Sequence, residues 1–385
     1  MAGLKEFIPE FGKYTFEEVP FCEGDAVLLT REIYMPFEQV VSSSYDEEPK
    51  NFVQAAEELF ELRGYRHYGL GLMITSAPSR NMVAMSEQRR YADMKIYAMN
   101  EVLSISPSIQ YCSGTFILPD GTLVVCYRGT DDSVAGWKED LDIYFHNGTP
   151  SYNLALNYIE NVAKHFDGNI IICGHSKGGN IALYTALKCS EEVRHRIVGV
   201  YNCDGPGYHD YGIFHLGTYE EILPVYKHFV PNSSTVGMLM AHDYDYKAVK
   251  STRLLGPFQH DLGTWQIENG KLVTVPDISF MAKATDVIVA KLIDRVDDSN
   301  GKAIDTIVTV FTEGLGQNYL TDVAHNVISS VKGVKEALKN IDPEVKETAK
   351  SAFAGTFKLI RESVKSVKDI SIEGITKLAY SYSDK

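Results

Sequence analysis

The chain has 385 residues, of which 44% are hydrophobic and 23% charged, so it is long enough to bury a large core and too apolar to be disordered. A formal net charge of −14 argues against a nucleic-acid backbone as partner. No apolar run reaches the ~18 residues needed to span a bilayer, since even "FMAKATDVIVAKLI" is broken by Lys283, Asp286 and Lys291.

The first residues, "MAGLKEFIPEFGKYTFEEVPF", lack the basic start and continuous apolar run of a signal peptide. The six cysteines show no metal-type spacing, and Cys126, Cys173 and Cys203 fall within or at the end of predicted strands as small buried thiols. A cytoplasmic, reduced protein is expected.

From residue 114 strands and helices alternate. "GTFILPDGTLVVCYRGT" predicts a hairpin, Phe116–Leu118 and Thr122–Tyr127, joined by the turn residues Pro119, Asp120 and Gly121. Ala155, Ile159, Val162 and Phe166 recur at helical spacing. A strand Ile170–Cys173, a helix from about Gly178 to Leu187 and a strand Ile197–Cys203 follow, and "LPVYKHFVP" and "YKAVKST" supply two more strands. Strands bounded by helices at this spacing imply a mostly parallel sheet covered on both faces. A boundary is placed near residue 280. Residues 281–385 carry 15 basic and 15 acidic side chains, so the whole −14 belongs to residues 1–280.

The chemistry centres on Gly174-His175-Ser176-Lys177-Gly178, which fits G-x-S-x-G. The pattern alone is weak, but here a buried strand precedes it and a helix follows. That is the strand–turn–helix that exposes a nucleophilic hydroxyl, and the flanking glycines permit its strained backbone. A serine nucleophile needs a base, and an acid that holds the base in one tautomer. Downstream histidines are His209, His215, His228, His242 and His260. His260 sits in a loop after the last strand signal and is read as the base, while His228 lies inside a strand and is read as packed. The loop after "LPVYKHFVP", where the acid customarily stands, reads "VPNSSTVG" and holds no carboxylate. Asp204, one strand earlier before a Gly-Pro-Gly turn, is taken as the acid, against the plainer reading of a turn-capping aspartate. Asp243 and Asp245 are the fallbacks. The oxyanion needs two preorganised N–H donors, and Lys177 and Thr130 are placed to supply them, with the Thr130 hydroxyl able to lock its loop.

"VVCYRGTDDSVAGWKEDL" followed by "GHSKGG" resembles the paired signature of the lipase class 3 group of α/β hydrolases, over roughly residues 110–265. With "FCEGDAVLLTREIYMPFEQVV" and "CDGPGY", the chain most resembles a bacterial branch known only as a domain of unknown function. The resemblance implies an α/β-hydrolase fold, Ser176 as nucleophile, and Thr130 with Lys177 at the oxyanion hole. It places the group's usual acid at Ser233 or Ser234. Another lipase type carries its acid after the earlier strand, which suits Asp204. Lys177 stands where lipases carry an apolar side chain, which argues against a greasy, interface-activated pocket. Trp137 is read as packing behind the oxyanion loop, and Asp131 and Asp132 as caps of the helix leading to it.

No metal-ligand spacing and no phosphate-cradling loop appears, so no cofactor or metal is expected. Beyond residue 281, Phe353, Phe357, Ile360, Val364 and Val367 form one apolar stripe, and Val323 to Ile341 form another. These helices are expected to pack on the hydrolase domain, to dimerise, or to touch a membrane surface. The sequence thus predicts residues 1–280 as an α/β-hydrolase domain and 281–385 as a helical region. The activity expected is hydrolysis of small-molecule or lipid carboxylic esters. An amidase or thioesterase with the same triad, and a catalytically idle hydrolase fold acting as scaffold, are the alternatives.

Overall fold

The computed structural model describes residues 3–64, 78–104, 107–131, 133–145, 148–208, 211–234, 236–240, 246–253 and 256–279, with Ala282 and Pro343 as isolated positions. His209, His242, Asp132, Asp243, Asp245 and the tail stripes therefore lie outside the described residues, as does the side chain of Trp137.

The eight strands of the main sheet lie side by side in chain order: β1 (Lys50–Asn51), β2 (Lys95–Ser104), β3 (Ile109–Ile117), β4 (Leu123–Tyr127), β5 (Ile170–His175), β6 (Ile197–Cys203), β7 (Tyr226–Pro231) and β8 (Lys247–Val249). β1 to β4 pair antiparallel, and every ladder from β4 to β8 is parallel. The α/β class and the mostly parallel sheet read from the sequence are what the chain forms. The hairpin forms as expected, although its first strand begins seven residues earlier, at Ile109. Gly121 takes the positive φ of 83° that its turn requires.

β4 and β5 are buried along their whole length, and their side chains alternate between two cores. Val124, Cys126, Ile171 and Cys173 face one core, beneath α1 (Leu4–Phe11), α2 (Glu23–Glu32), α3 (Phe52–Arg63) and α4 (Pro78–Ser86). Leu123, Val125, Tyr127, Ile170 and Ile172 face the other. Beyond β4 come α5 (Val134–Phe145) and α6 (Pro150–His165), and β5 leads into α7 (Lys177–Lys188). Ala155, Ile159 and Val162 of α6 and Ile181, Ala182 and Ala186 of α7 close that second core. Three shorter helices follow among the described residues: α8 (Glu191–Arg194), α9 (Gly217–Ile222) and α10 (Gly256–Gln259). A two-stranded ribbon, β9 (Ile267–Glu268) with β10 (Lys271–Leu272), follows α10.

The N-terminal helical layer is stapled by a wholly buried ion pair. Arg90 Nη2 lies 2.6 Å from Asp25 Oδ2 and its Nε 2.8 Å from Oδ1, a bidentate geometry. Glu32, at the end of α2, has no such partner. It is fully buried, and neither carboxylate oxygen accepts a hydrogen bond from a described residue. Burial pushes its pKa up to about 8, despite the opposing charge of Arg31. The folded chain thus holds a proton that the unfolded chain releases near pH 4.5. The stability from that proton is complete below pH 4.5 and falls by about 1.4 kcal/mol per pH unit until about pH 8. Glu32→Gln should remove this slope, so its gain in melting temperature should be larger at pH 8 than at pH 5. Equal shifts at both pH values would show that Glu32 is ionised in the fold.

Candidate active site

β5 ends in His175, and α7 begins at Lys177, so Ser176 alone makes the turn between them. Its φ of 56° and ψ of −129° are strained for a residue with a β-carbon. The elbow is held from both sides: Ser176 N–H donates to Cys203 O at 3.0 Å, and a β-carbon on Gly174 or Gly178 would strike the backbone of Gly178 or Tyr127. The strain predicted from the sequence is present, and close packing enforces it. Ser176 is half-buried.

Neighbouring strands then deliver the partners to the same edge. Asp204 directly follows β6 and also carries a positive φ, 53°, which aspartate tolerates better than most residues. Its carboxylate does not cap its own turn. Asn202 Oδ1 does that, accepting from Gly205 N–H at 2.9 Å. Asp204 Oδ2 instead lies 2.7 Å from His260 Nδ1, and Oδ1 accepts from Ser234 Oγ at 2.5 Å and Gly237 N–H at 3.0 Å. Ser234, one of the two positions where the resemblance places the acid, thus serves as a donor to the Asp204 carboxylate one strand away. His260 follows α10, is 4% exposed, and sets its ring centroid 4.3 Å from that of His175, with the two rings tilted by 38°. Ser176 Oγ and His260 Nε2 are not hydrogen-bonded to each other, a contact that such sites commonly complete only with substrate in place. Of the other histidines, His228 is buried in β7 and His215 is exposed in a 3₁₀ turn, Tyr211–His215.

The loop after β4 packs against the elbow. A β-carbon on Gly129 would lie 2.5 Å from His175 O and 2.8 Å from Ser176 Cβ, so only glycine fits there. Next to it, Thr130 Oγ1 lies 2.7 Å from both oxygens of Asp140, on α5. The hydroxyl does lock the loop. Burial pushes the Asp140 pKa up to about 6, against the pull of the Lys177 ammonium and the Thr130 hydroxyl. The N-terminus of α5 is capped by Ser133, whose Oγ accepts from Gly136 N–H at 3.1 Å. Asp131 acts one step earlier, taking Ser133 N–H at 2.8 Å and pairing with Arg128 at 3.1 Å.

Lys177 opens α7, where its backbone N–H has no helical carbonyl to bond. Its side chain is 1% exposed and ends in a buried polar network. The ammonium donates to Glu139 Oε2 at 2.7 Å, Gln110 O at 2.6 Å and Gln110 Oε1 at 2.9 Å. Glu139 also accepts from Gln110 N–H at 2.8 Å and from the hydroxyls of Thr149 and Ser151. Burial alone would raise the Glu139 carboxyl, but Lys177 and these hydroxyls more than offset it and hold it below the usual range. The inference that Lys177 makes the substrate pocket less greasy is therefore corrected: its charge is neutralised inside the protein and does not face substrate.

Sequence reasoning passed over Glu139, Tyr34 and His175. Glu139 lies beside the Trp-then-Asp signature, but nothing local marks it as the partner of Lys177. Among the described residues no group of three or more His, Cys, Asp or Glu side chains is placed to hold a metal, and no helix is long and apolar enough to cross a membrane. All six cysteines are free thiols, five of them buried.

A serine on a strained strand-to-helix turn, beside a histidine–aspartate pair and a loop locked against the turn, on a mostly parallel sheet, defines a lipase-like α/β hydrolase. The chain belongs to the Mbeg1-like family, whose model matches residues 85–309, more than half its length. No curated protein and no solved structure is similar enough to match.

Proposed function

We propose that the protein is a serine hydrolase that cleaves carboxylic esters of small molecules or lipids through an acyl-enzyme. The observation that carries this reading is the 2.7 Å contact of His260 Nδ1 with a buried Asp204 beside the strained Ser176. The carboxylate takes the Nδ1 proton as its hydrogen bond, which leaves the Nε2 lone pair free as a base. Ser176 Oγ attacks the acyl carbon while His260 Nε2 removes its proton. The carbonyl electron pair moves onto oxygen, held by the N–H groups of Thr130 and Lys177. Collapse expels the alkoxide, which takes the proton from His260, and water repeats the sequence on the acyl-serine. Free thiols in every position suit a reducing compartment such as the cytoplasm.

The same constellation would serve an amide or thioester. The scaffold alternative drew its support from the missing acid after β7, and the Asp204–His260 contact removes that motive. A fluorophosphonate probe should label wild type rapidly and leave Ser176→Ala unlabelled, because only an activated serine reacts. Equal labelling of both, or none of either, ends the hydrolase reading. Faster cleavage of p-nitroanilides than of p-nitrophenyl esters would shift the proposal to an amidase.

A further inference from the structure

The bonds around His175 leave each atom a single role. The His260 carbonyl oxygen can only accept, so at 2.8 Å His175 Nε2 must carry the proton. Burial, reinforced by the neighbouring His260, holds the His175 imidazole well below its usual pKa, so the ring is neutral and Nδ1 is an acceptor. The Tyr34 hydroxyl, 2.7 Å from Nδ1, therefore donates to it. The oxygen of that hydroxyl then accepts the Gly129 N–H at 3.1 Å. A directed chain runs from the Gly129 amide through Tyr34 and His175 to the backbone of His260. It joins the oxyanion loop, the residue before the nucleophile and the loop bearing the base. All of its side chains are buried, so water cannot substitute for any link.

Resting on the serine hydrolase reading, we propose that Tyr34 is a positioning residue, which through His175 fixes the oxyanion loop and the base loop relative to Ser176. Tyr34 stands two residues past the end of α2 and outside the family match at 85–309, so the N-terminal helical layer is part of the catalytic apparatus. The same turn reaches the base loop a second time. Arg31 Nε lies 3.5 Å from the carboxylate of Asp261, the residue after His260. Gly129 is fixed in identity for the same reason, since a β-carbon there would come within 2.6 Å of the Tyr34 oxygen. Tyr34 touches no substrate, so its effect belongs to geometry in the transition state and not to ground-state binding.

Tyr34→Phe in the full chain removes one oxygen and leaves the ring. Turnover of a p-nitrophenyl ester should fall about tenfold to a hundredfold with KM nearly unchanged, somewhat less than the loss of an oxyanion donor itself. Inhibition by an alkyl boronic acid, whose serine adduct is tetrahedral, should weaken by a similar factor. Tyr91→Phe is the control. It removes an equally buried hydroxyl of the same layer, one that makes no hydrogen bond to a described residue, and should keep wild-type turnover. Wild-type turnover in Tyr34→Phe, a change in KM alone, equal losses in both variants, or a Tyr34→Phe chain that does not fold would each overturn the proposal. A wild-type chain that neither turns over the ester nor reacts with a fluorophosphonate at Ser176 would instead end the underlying serine hydrolase reading.

Discussion

Asp204→Asn is expected to lower ester turnover about 10⁴-fold, by analogy with other triads, while leaving the fold intact. The geometry explains why an isosteric amide should fail. Two donors, Ser234 Oγ and Gly237 N–H, converge on Oδ1. An asparagine would have to place its carbonyl oxygen there, which turns its NH₂ toward His260 Nδ1. The imidazole would then accept at Nδ1 and carry its proton on Nε2, the tautomer that cannot deprotonate Ser176. Ser234→Ala removes one of the two donors and should cost far less, because the carboxylate keeps Gly237 and His260. kcat/KM for a p-nitrophenyl ester across Asp204→Asn, Ser234→Ala, Asp243→Asn and Asp245→Asn decides the matter. Near-wild-type activity in Asp204→Asn, with loss in either of the other two aspartate variants, would transfer the role of the acid.

Breaking the pair behind the elbow should have the largest effect on stability. Lys177→Met leaves Glu139 as a buried charge with only the Gln110 N–H and the Thr149 and Ser151 hydroxyls as donors, and Glu139→Gln strands the ammonium beside Gln110. Loss of one partner of such a pair costs about 3–5 kcal/mol, or roughly 6–20 °C in Tm for a domain of this size. Exchange of both for apolar residues, Lys177→Met with Glu139→Leu, should recover much of that, since buried pairs are often replaceable by packing of similar volume. The Thr149 and Ser151 hydroxyls would then lack their acceptor, which keeps the recovery partial. Chemical denaturation of wild type, the two single variants and the double variant tests this. Single variants within about 0.5 kcal/mol of wild type would show that water reaches the pair and screens it.

How much of this was legible depends on the sequence distance over which each decision is made. Ser176 could be named because its constraints are local: an apolar strand before it, a helix after it and glycines on both flanks. The hairpin at Pro119–Gly121 and the strand Ile197–Cys203 were readable for the same reason, since turn chemistry and alternation act over a few residues. Thr130 and Asp140 were within reach because the pair is ten residues apart and falls in one family signature.

The acid was only half determined. The chain shows that no carboxylate follows β7 and that one follows β6, but not where that carboxylate points. The parallel pairing of β6 with β7 decides where it points, because it sets Asp204 beside Ser234 and within reach of His260. Tyr34 and His175 are 141 residues apart, and Glu139 and Lys177 are 38. Nothing in the composition or spacing of either segment records the other. A buried donor must find an acceptor, but sequence carries only that demand. Which acceptor meets it is decided when the sheet brings loops from distant strands to one edge and excludes water from among them.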